Sequence, residues 1–137
     1  MKKPLIIVTT MLLLAVAGSG CRKDIYGCTD PYAANYAPNA NVDNGSCRYV
    51  RYGDVMFWTD RNEGNVQITI GGQTGTITGY VTGGTPGCGN AVSANFSLQE
   101  GSYTYSVVAG PSQAYPQGYT YTGTAVAQNG VCNAYQL

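Results

Sequence analysis

Apolar and polar side chains alternate through much of the chain over residues 53–137. Residues 66–70 alternate apolar with polar at every step, and residues 92–98 do the same. A period of two places one face of a strand on a core and the other in solvent. The pattern predicts about seven short strands, which is typical of an antiparallel β-sandwich.

Turn signals separate the predicted strands. Gly71-Gly72, Glu100-Gly101 and Asn129-Gly130 each lie between two alternating segments and predict hairpins. Residues 83–87 contain glycine and proline, residues 111–116 begin and end with proline, and both segments predict loops. Apart from the start of the chain, no segment has a helical period, so the fold is expected to be all-β.

The first 20 residues have the layout of an export signal. Lys2 and Lys3 form a positive start, residues 5–17 are mostly apolar, and residues 17–20 are small. The apolar segment is shorter than the roughly 20 residues that a membrane-spanning helix requires. We therefore expect residues 1–20 to be a signal peptide that is removed on export.

Cys21 directly follows the small residues, and this leader resembles a bacterial lipoprotein signal peptide. The resemblance implies that Cys21 is the lipidation site, carrying acyl chains such as palmitate, and is the first residue of the mature chain. The chain has five cysteines, so acylation of one leaves four that can pair in an oxidising compartment. The alternative is an ordinary secretory leader cut near Cys21.

Residues 21–27 are expected to form a tether. An aspartate directly after the cysteine would resemble an inner-membrane retention signal, but this position is Arg22. Lys23-Asp24 is similar to the charged tag that directs lipoproteins of Bacteroidota to the cell surface. A solvated linker would explain the same residues. The expected location is the outer membrane or cell surface, with the membrane bound through the lipid anchor.

Charge and composition argue against several classes of function. Seven Lys and Arg stand against seven Asp and Glu, and charged residues are 10% of the chain. Nucleic-acid binding needs clustered basic side chains, so no nucleic-acid partner is expected. The chain has no histidine, which removes histidine-based catalysis and histidine-ligated zinc. Asp54, Asp60, Glu63 and Glu100 fall at predicted strand ends and turns, where we expect solvated side chains, so no enzymatic activity is predicted.

Residues 28–47 form a polar module bounded by two cysteines. The module is too polar to bury a core of its own, so something other than apolar burial must order it. A turn is expected in residues 31–37, and Tyr32 and Tyr36 are expected to pack over a disulfide bridge.

Four cysteines remain for pairing, and three connectivities are formally possible. Pairing of Cys28 with Cys47 is favoured because the module is self-contained, and this closure would remove about 3 kcal/mol of entropy from the unfolded chain. Cys88 then pairs with Cys132, which lies in the last predicted strand.

Two segments resemble known modules. The string from Gly27 to Cys47 looks like a recurring extracellular module of Bacteroidota with the pattern G-C-T-D-P-x-A-x-N-Y…D-[DN]-G-S-C. Residues 53–137 resemble a small sandwich of Bacteroidota lipoproteins, on the strength of residues 55–59, 85–89, 101–105 and 130–132. This resemblance implies a transthyretin-like or immunoglobulin-like sandwich without assigned catalytic residues.

Oxygen-bearing side chains in the module suggest a calcium site. Asn39, Asn41 and Asp43 alternate before Gly45, as in loops that wrap a hard cation, and Asp30 is a further candidate ligand. The match to an EF-hand loop is poor, because most of these donors are neutral amides and no glutamate closes the loop. A loop rich in Asx turns and held by its disulfide is the favoured alternative, so no cofactor is expected and calcium is the one candidate.

A binding or adhesion role is the leading functional hypothesis. One possibility is a glycan platform formed by the aromatic residues Trp58, Tyr80, Tyr115, Tyr119 and Tyr121. Alternate tyrosines in strands are more often core residues or cross-strand pairs. The alternative function is a structural or accessory subunit of a surface assembly, which would offer a sheet edge or a tyrosine face to an envelope protein.

Overall fold

The computed structural model describes residues 22–137, which form nine β-strands and no helix. The chain divides into two compact units after Tyr49. The predicted signal peptide, residues 1–20, and the predicted lipidation site, Cys21, lie outside the described residues. Within the described range, no helix has the length and apolar character needed to cross a membrane.

The first unit is a small module with very little apolar core. Its strands β1 (Tyr26–Gly27) and β2 (Val42–Asp43) pair in parallel. A disulfide joins Cys28 to Cys47, with Cα atoms 4.8 Å apart. The buried apolar side chains described in this unit are Cys28 and Ala33. The disulfide and the backbone hydrogen bonds therefore supply most of its order.

Part of the predicted tether belongs to this module. The Ile25 N–H donates to Asn41 Oδ1 at 2.7 Å, and Asn41 Nδ2 donates to the Lys23 carbonyl at 3.2 Å. The Asn41 and Val42 N–H groups also donate to the Ile25 carbonyl. Residues 23–27 are therefore ordered by hydrogen bonds to the Asn41 side chain and by backbone pairing with residues 41–43, which the polar character of the segment did not reveal.

Turns do occupy residues 31–35 of the module. The expected packing of Tyr32 over the disulfide is wrong, because Tyr32 is 89% exposed. Tyr36 is 44% exposed and pairs through its backbone with Cys28.

The second unit is a β-sandwich of seven strands in two sheets. The strands are β3 (Tyr52–Trp58), β4 (Val66–Ile70), β5 (Gln73–Ile77), β6 (Ala94–Gln99), β7 (Gly101–Ala109), β8 (Tyr119–Ala127) and β9 (Cys132–Gln136). One sheet has the order β5-β4-β7-β8, and the other has the order β6-β3-β9. The prediction of an all-β sandwich with about seven strands is confirmed.

The four-stranded sheet is antiparallel throughout. Gly71 and Gly72 join β4 to β5 with φ values of 56° and 77°, so the predicted hairpin has the two left-handed residues of a type I′ turn. Strands β7 and β8 pair from Gly101 with Ala127 to Ala109 with Tyr119. The predicted loop at 111–116 connects these two long strands.

Two of the predicted hairpins are crossings between sheets. Glu100 joins β6 to β7, and these strands lie in different sheets. Asn129-Gly130 leads from β8 into β9, which runs parallel to β3 in the three-stranded sheet. A turn signal reports that the chain reverses locally, but it does not report which sheet the next strand joins.

The core lies between the two sheets and is aliphatic with an aromatic centre. Phe57 is fully buried, with its ring centroid 4.6 Å from that of Tyr105, 5.5 Å from Tyr135 and 6.0 Å from Phe96. The remaining buried members of the core cluster are Val55, Val66, Ile68, Ile70, Ile77, Ala94, Leu98, Val107, Ala109, Ala125 and Ala127. A second disulfide joins Cys88 to Cys132, with Cα atoms 6.2 Å apart.

Candidate ligand-binding cleft

Three tyrosines meet at the end of β8. Tyr119 and Tyr121 are alternate residues of this strand and so share the face that turns toward the core. Tyr115 comes from the preceding loop, where its N–H donates to Ser112 Oγ and its carbonyl accepts from the N–H groups of Ser112 and Gly118. This compact loop fixes Tyr115 beside the strand.

The three rings pack against one another and leave an open cleft. The Tyr115 and Tyr119 rings meet edge to face with centroids 4.8 Å apart, and the Tyr119 and Tyr121 rings stack at 5.9 Å. The cleft has a volume of about 300 Å³, and Glu63 and Leu137 complete its wall. We call this set of residues the tyrosine cleft.

Glu63 is the residue of the cleft that the sequence did not indicate. It was expected to be solvated, but only 3% of its surface is exposed. Its carboxylate accepts a hydrogen bond from the Tyr119 hydroxyl, which comes from a strand 56 residues further along the chain. No buried side-chain oxygen of the described residues lacks a partner, and Glu63 lines the cleft.

Arg61 stands at the rim of the cleft. Its guanidinium Nη1 donates to the Tyr115 hydroxyl at 3.3 Å, and its Nε lies 3.6 Å from Asp60. The hydrogen bond to Tyr115 and the nearby negative groups raise the pKa of Arg61. The cleft therefore combines one buried carboxylate with one exposed and permanently charged cation.

The hydroxyls of Tyr119 and Tyr121 stay protonated at neutral pH. Burial, followed by the hydrogen bond to Glu63, raises the pKa of Tyr119 well above its usual value. Burial and neighbouring negative groups raise the pKa of Tyr121 to about 12. Both residues therefore act as neutral hydrogen-bond donors with apolar ring faces, which is the character of a site that binds hydroxylated or apolar ligands.

A larger groove lies beside the second disulfide. It has a volume of about 390 Å³ and is lined in part by Asp54, Cys88 and Phe96. Phe96 is 5% exposed and belongs to the core. Because this groove offers no exposed aromatic ring and a single ionisable side chain, the tyrosine cleft is the stronger candidate.

Comparison with protein-family models, with curated proteins and with solved structures finds no match for this chain. The resemblances to a lipoprotein leader, to a cysteine-bounded module and to a transthyretin-like or immunoglobulin-like sandwich therefore stay predictions.

The structure brings together three of the five residues predicted to form a glycan platform. Tyr115, Tyr119 and Tyr121 line the cleft. Tyr80 is 50% exposed and is not part of the wall. Trp58 is only 5% exposed and cannot present a ring face to a ligand.

The residues predicted to bind calcium are used in backbone turns. Asp30 accepts from the Tyr32 N–H and from the Tyr49 hydroxyl, and these hydrogen bonds lower the pKa of Asp30. Asp43 accepts from the Gly45 N–H. As described above, both polar atoms of Asn41 bond to the segment at 23–25.

Asp30, Asp43 and Asn41 therefore have structural roles that need no metal, while Asn39 is an exposed turn residue. Within residues 22–137, no cluster of three or more His, Cys, Asp or Glu side chains is suited to a metal ion. Calcium binding stays a prediction that a melting experiment with and without calcium can test.

Proposed function

We propose that this chain is a lipid-anchored protein of the cell envelope whose second unit is a non-catalytic binding module for neutral glycans. The tyrosine cleft is the proposed site. Tyr115, Tyr119 and Tyr121 supply the stacking surfaces, and Glu63 and Arg61 supply hydrogen bonds to sugar hydroxyls.

The observation that carries this proposal is the burial of a carboxylate among three packed tyrosines at an open cleft. Burying a carboxylate costs free energy unless it is hydrogen bonded. Tyr119 satisfies one oxygen of Glu63, whose side chain lines the cleft, and in this proposal the other oxygen accepts from a ligand. Aromatic faces beside a fixed acceptor match the apolar ring face and the hydroxyl edge of a pyranose.

The charges of the cleft favour a ligand without negative charge next to Glu63. A carboxylate or sulfate on the ligand would repel the buried carboxylate, which has little solvent to screen it. Arg61 is 62% exposed and is shared with Asp60, so it offers only a modest opposing attraction. We therefore expect neutral sugars to bind in preference to acidic ones.

Two disulfides support the proposed location outside the cytoplasm. Such bonds form and persist in oxidising compartments, and four of the five cysteines of the chain are paired. Cys21 is then left for the proposed acylation. Mass spectrometry of the amino terminus, purified from the native membrane, tests this step, and an unmodified Cys21 would contradict it.

Glycan binding is tested with residues 22–137 on an array of neutral and acidic glycans. We expect neutral glycans to bind, and we expect Tyr115→Ala and Tyr121→Ala to weaken binding by about tenfold or more, or about 1.4 kcal/mol. Tyr80→Ala is the matched control, because Tyr80 is exposed but lies outside the wall of the cleft. An equal loss in the control, or no binding by the unmodified chain, would exclude this site.

The second candidate function is an accessory subunit of a surface assembly. It is favoured by β8, a nine-residue strand that forms one edge of the four-stranded sheet. Exposed edges of this length bind other strands readily. Purification of the chain from membranes together with a stoichiometric envelope protein, and without glycan binding, would support this function over the first.

A further inference from the structure

Strand β8 is an edge strand without the usual protection against pairing. It covers Tyr119–Ala127 and contains no charged residue and no proline. Its register with β7 is continuous from one end to the other, so no bulge interrupts it. Charge, proline, bulges or short length normally prevent an edge from adding another strand. None of these features is present along β8.

The hydrogen bonds of Val126 show which backbone groups of β8 face the free edge. Its N–H donates to the Tyr135 hydroxyl at 2.8 Å, and its carbonyl accepts from Asn133 Nδ2 at 2.7 Å. Both partners are side chains of β9, so the backbone of Val126 points away from β7. In an antiparallel pair, alternate residues direct their N–H and C=O groups to the same side.

Thr120, Thr122 and Thr124 therefore direct their backbone groups to the free edge as well. Their side chains are exposed. In the described part of the chain, no backbone group of another segment bonds to them on that side. The edge thus offers three N–H groups and three carbonyls, and it ends at Val126, where β9 already occupies the position.

This free segment is complementary to itself. In an antiparallel pair centred on Thr122, Thr122 lies opposite its own copy, and Thr120 lies opposite Thr124. All six outward backbone groups of each strand then find partners. Tyr121 lies opposite Gly123, which the Tyr105 ring of its own sheet already covers. The threonine pairs are therefore the favourable cross-strand neighbours of this register.

We propose that β8 pairs with β8 of a second copy of this chain across a two-fold axis, which joins two four-stranded sheets into one continuous sheet. The contact is isologous, as in most homodimers. A second copy is the partner because the register that satisfies the edge is symmetric. This inference does not depend on glycan binding. The paired segment is short, so association is weak and depends on concentration.

Covalent trapping tests the register. In the full chain, exported to an oxidising compartment, Thr122→Cys places two thiols opposite each other, with Cα atoms about 5.5 Å apart, which is within the range of a disulfide. We expect a covalent dimer on a non-reducing gel. Thr74→Cys is the matched control, since Thr74 is an exposed threonine on β5, at the opposite edge of the same sheet. Absence of the Thr122 dimer, or equal dimer in the control, overturns the proposal.

A non-covalent test uses the same two positions. Sedimentation equilibrium of the detergent-solubilised full chain is expected to show a monomer–dimer equilibrium. Thr122→Lys places like charges opposite each other at the two-fold axis and weakens the dimer about tenfold or more. Thr74→Lys adds the same charge and leaves the dimer unchanged. A wild-type chain that stays monomeric at every concentration, or an equal effect of Thr74→Lys, contradicts the proposal.

Discussion

At the scale of single residues, the structure assigns roles to polar side chains that the sequence did not distinguish. Asp30 and Glu63 both accept hydrogen bonds from tyrosine hydroxyls, but Asp30 lies in an open turn and Glu63 is buried. Glu63 is buried and Asp30 is not because distant parts of the chain pack around Glu63, and the local sequence does not show this packing. The two pairs therefore predict different kinds of measurement.

The Asp30–Tyr49 pair predicts a shift in a single titration. The hydrogen bond from the Tyr49 hydroxyl, at 2.6 Å, is the largest cause of the lowered pKa of Asp30. Tyr49→Phe removes that donor, so the pKa of Asp30 should rise toward its usual value of 3.8. The chemical shift of the Asp30 carboxyl carbon in an NMR titration measures this pKa directly.

The control for this titration is Tyr32→Phe. Tyr32 bonds to Asp30 through its backbone N–H, which the substitution keeps. The lowered pKa of Asp30 means that the pair stabilises the fold above the unfolded-state pKa and loses this effect as pH falls through the folded-state pKa. An equal rise in both variants would show that the Tyr49 hydroxyl is not the cause.

The Glu63–Tyr119 pair predicts a loss of stability. Tyr119→Phe leaves a buried carboxylate oxygen without its donor, and such a loss costs about 1–3 kcal/mol. Urea unfolding at neutral pH measures it. Tyr121→Phe is the control, because Tyr121 has a similar position on β8 but no side-chain hydrogen bond to Glu63 among the described residues. Equal stability of the two variants would contradict the role assigned to Glu63.

The same two tyrosines set an alkaline limit to stability. Folding raises the pKa of both phenols above the value of 10.0 that an unfolded tyrosine has. Their contribution is fully present below that pH and is lost as pH rises through the folded-state values, which for Tyr121 is about 12. Each Tyr→Phe variant should flatten this part of the stability profile.

At the scale of strands, the alternating pattern predicted where the strands lie but not which strands pair with one another. The alternating segment at 66–70 is a strand, the segment at 92–98 becomes a strand from Ala94 onward, and the Gly71-Gly72 hairpin forms as predicted. The turns at Glu100 and Asn129-Gly130 lead instead to the other sheet. The partner of a strand depends on packing between distant segments, and a local pattern does not encode it. For the same reason, the local pattern did not predict that Trp58 and Glu63 are buried.

Gly53 shows how closely one strand approaches a distant segment. It lies in β3 opposite Leu98 of β6, and a Cβ atom added to it would overlap the backbone of Gln128. Backbone cannot rotate away as a flexible side chain can, so Gly53→Ala should destabilise the second unit by about 1–3 kcal/mol through overpacking.

The matched control for this substitution is Gly87→Ala. Gly87 has an ordinary φ and no heavy atom within 4 Å of an added Cβ. We expect its stability to change by less than about 0.5 kcal/mol. Thermal unfolding of the two variants compares them, and a Gly53→Ala protein as stable as Gly87→Ala would show that β3 does not pack against Gln128.

At the scale of the whole molecule, each compact unit has its own disulfide and its own source of order. The second unit has an extensive apolar core between two sheets. In the first unit, Cys28 and Ala33 are the buried apolar side chains described. A core this small does not offset the entropy of the chain, so the first unit depends on its cross-link more than the second does.

Removal of one disulfide at a time should therefore have unequal effects. The Cys28→Ala/Cys47→Ala variant loses about 3 kcal/mol of loop-closure stabilisation, and the first unit should lose its protected amides in hydrogen exchange. The Cys88→Ala/Cys132→Ala variant loses about 4 kcal/mol by the same argument, but its core should keep the second unit folded at moderate temperature.

Trp58 makes this comparison measurable, because it is the one tryptophan of the chain and is buried in the second unit. The fluorescence unfolding curve of Trp58 should be unchanged in Cys28→Ala/Cys47→Ala and should move to lower denaturant in Cys88→Ala/Cys132→Ala. The two variants remove cross-links that close loops with sequence separations of 19 and 44. If loss of the first disulfide moved the Trp58 curve as far as loss of the second, the units would fold as one cooperative body, and the disulfide in the first would stabilise the whole chain.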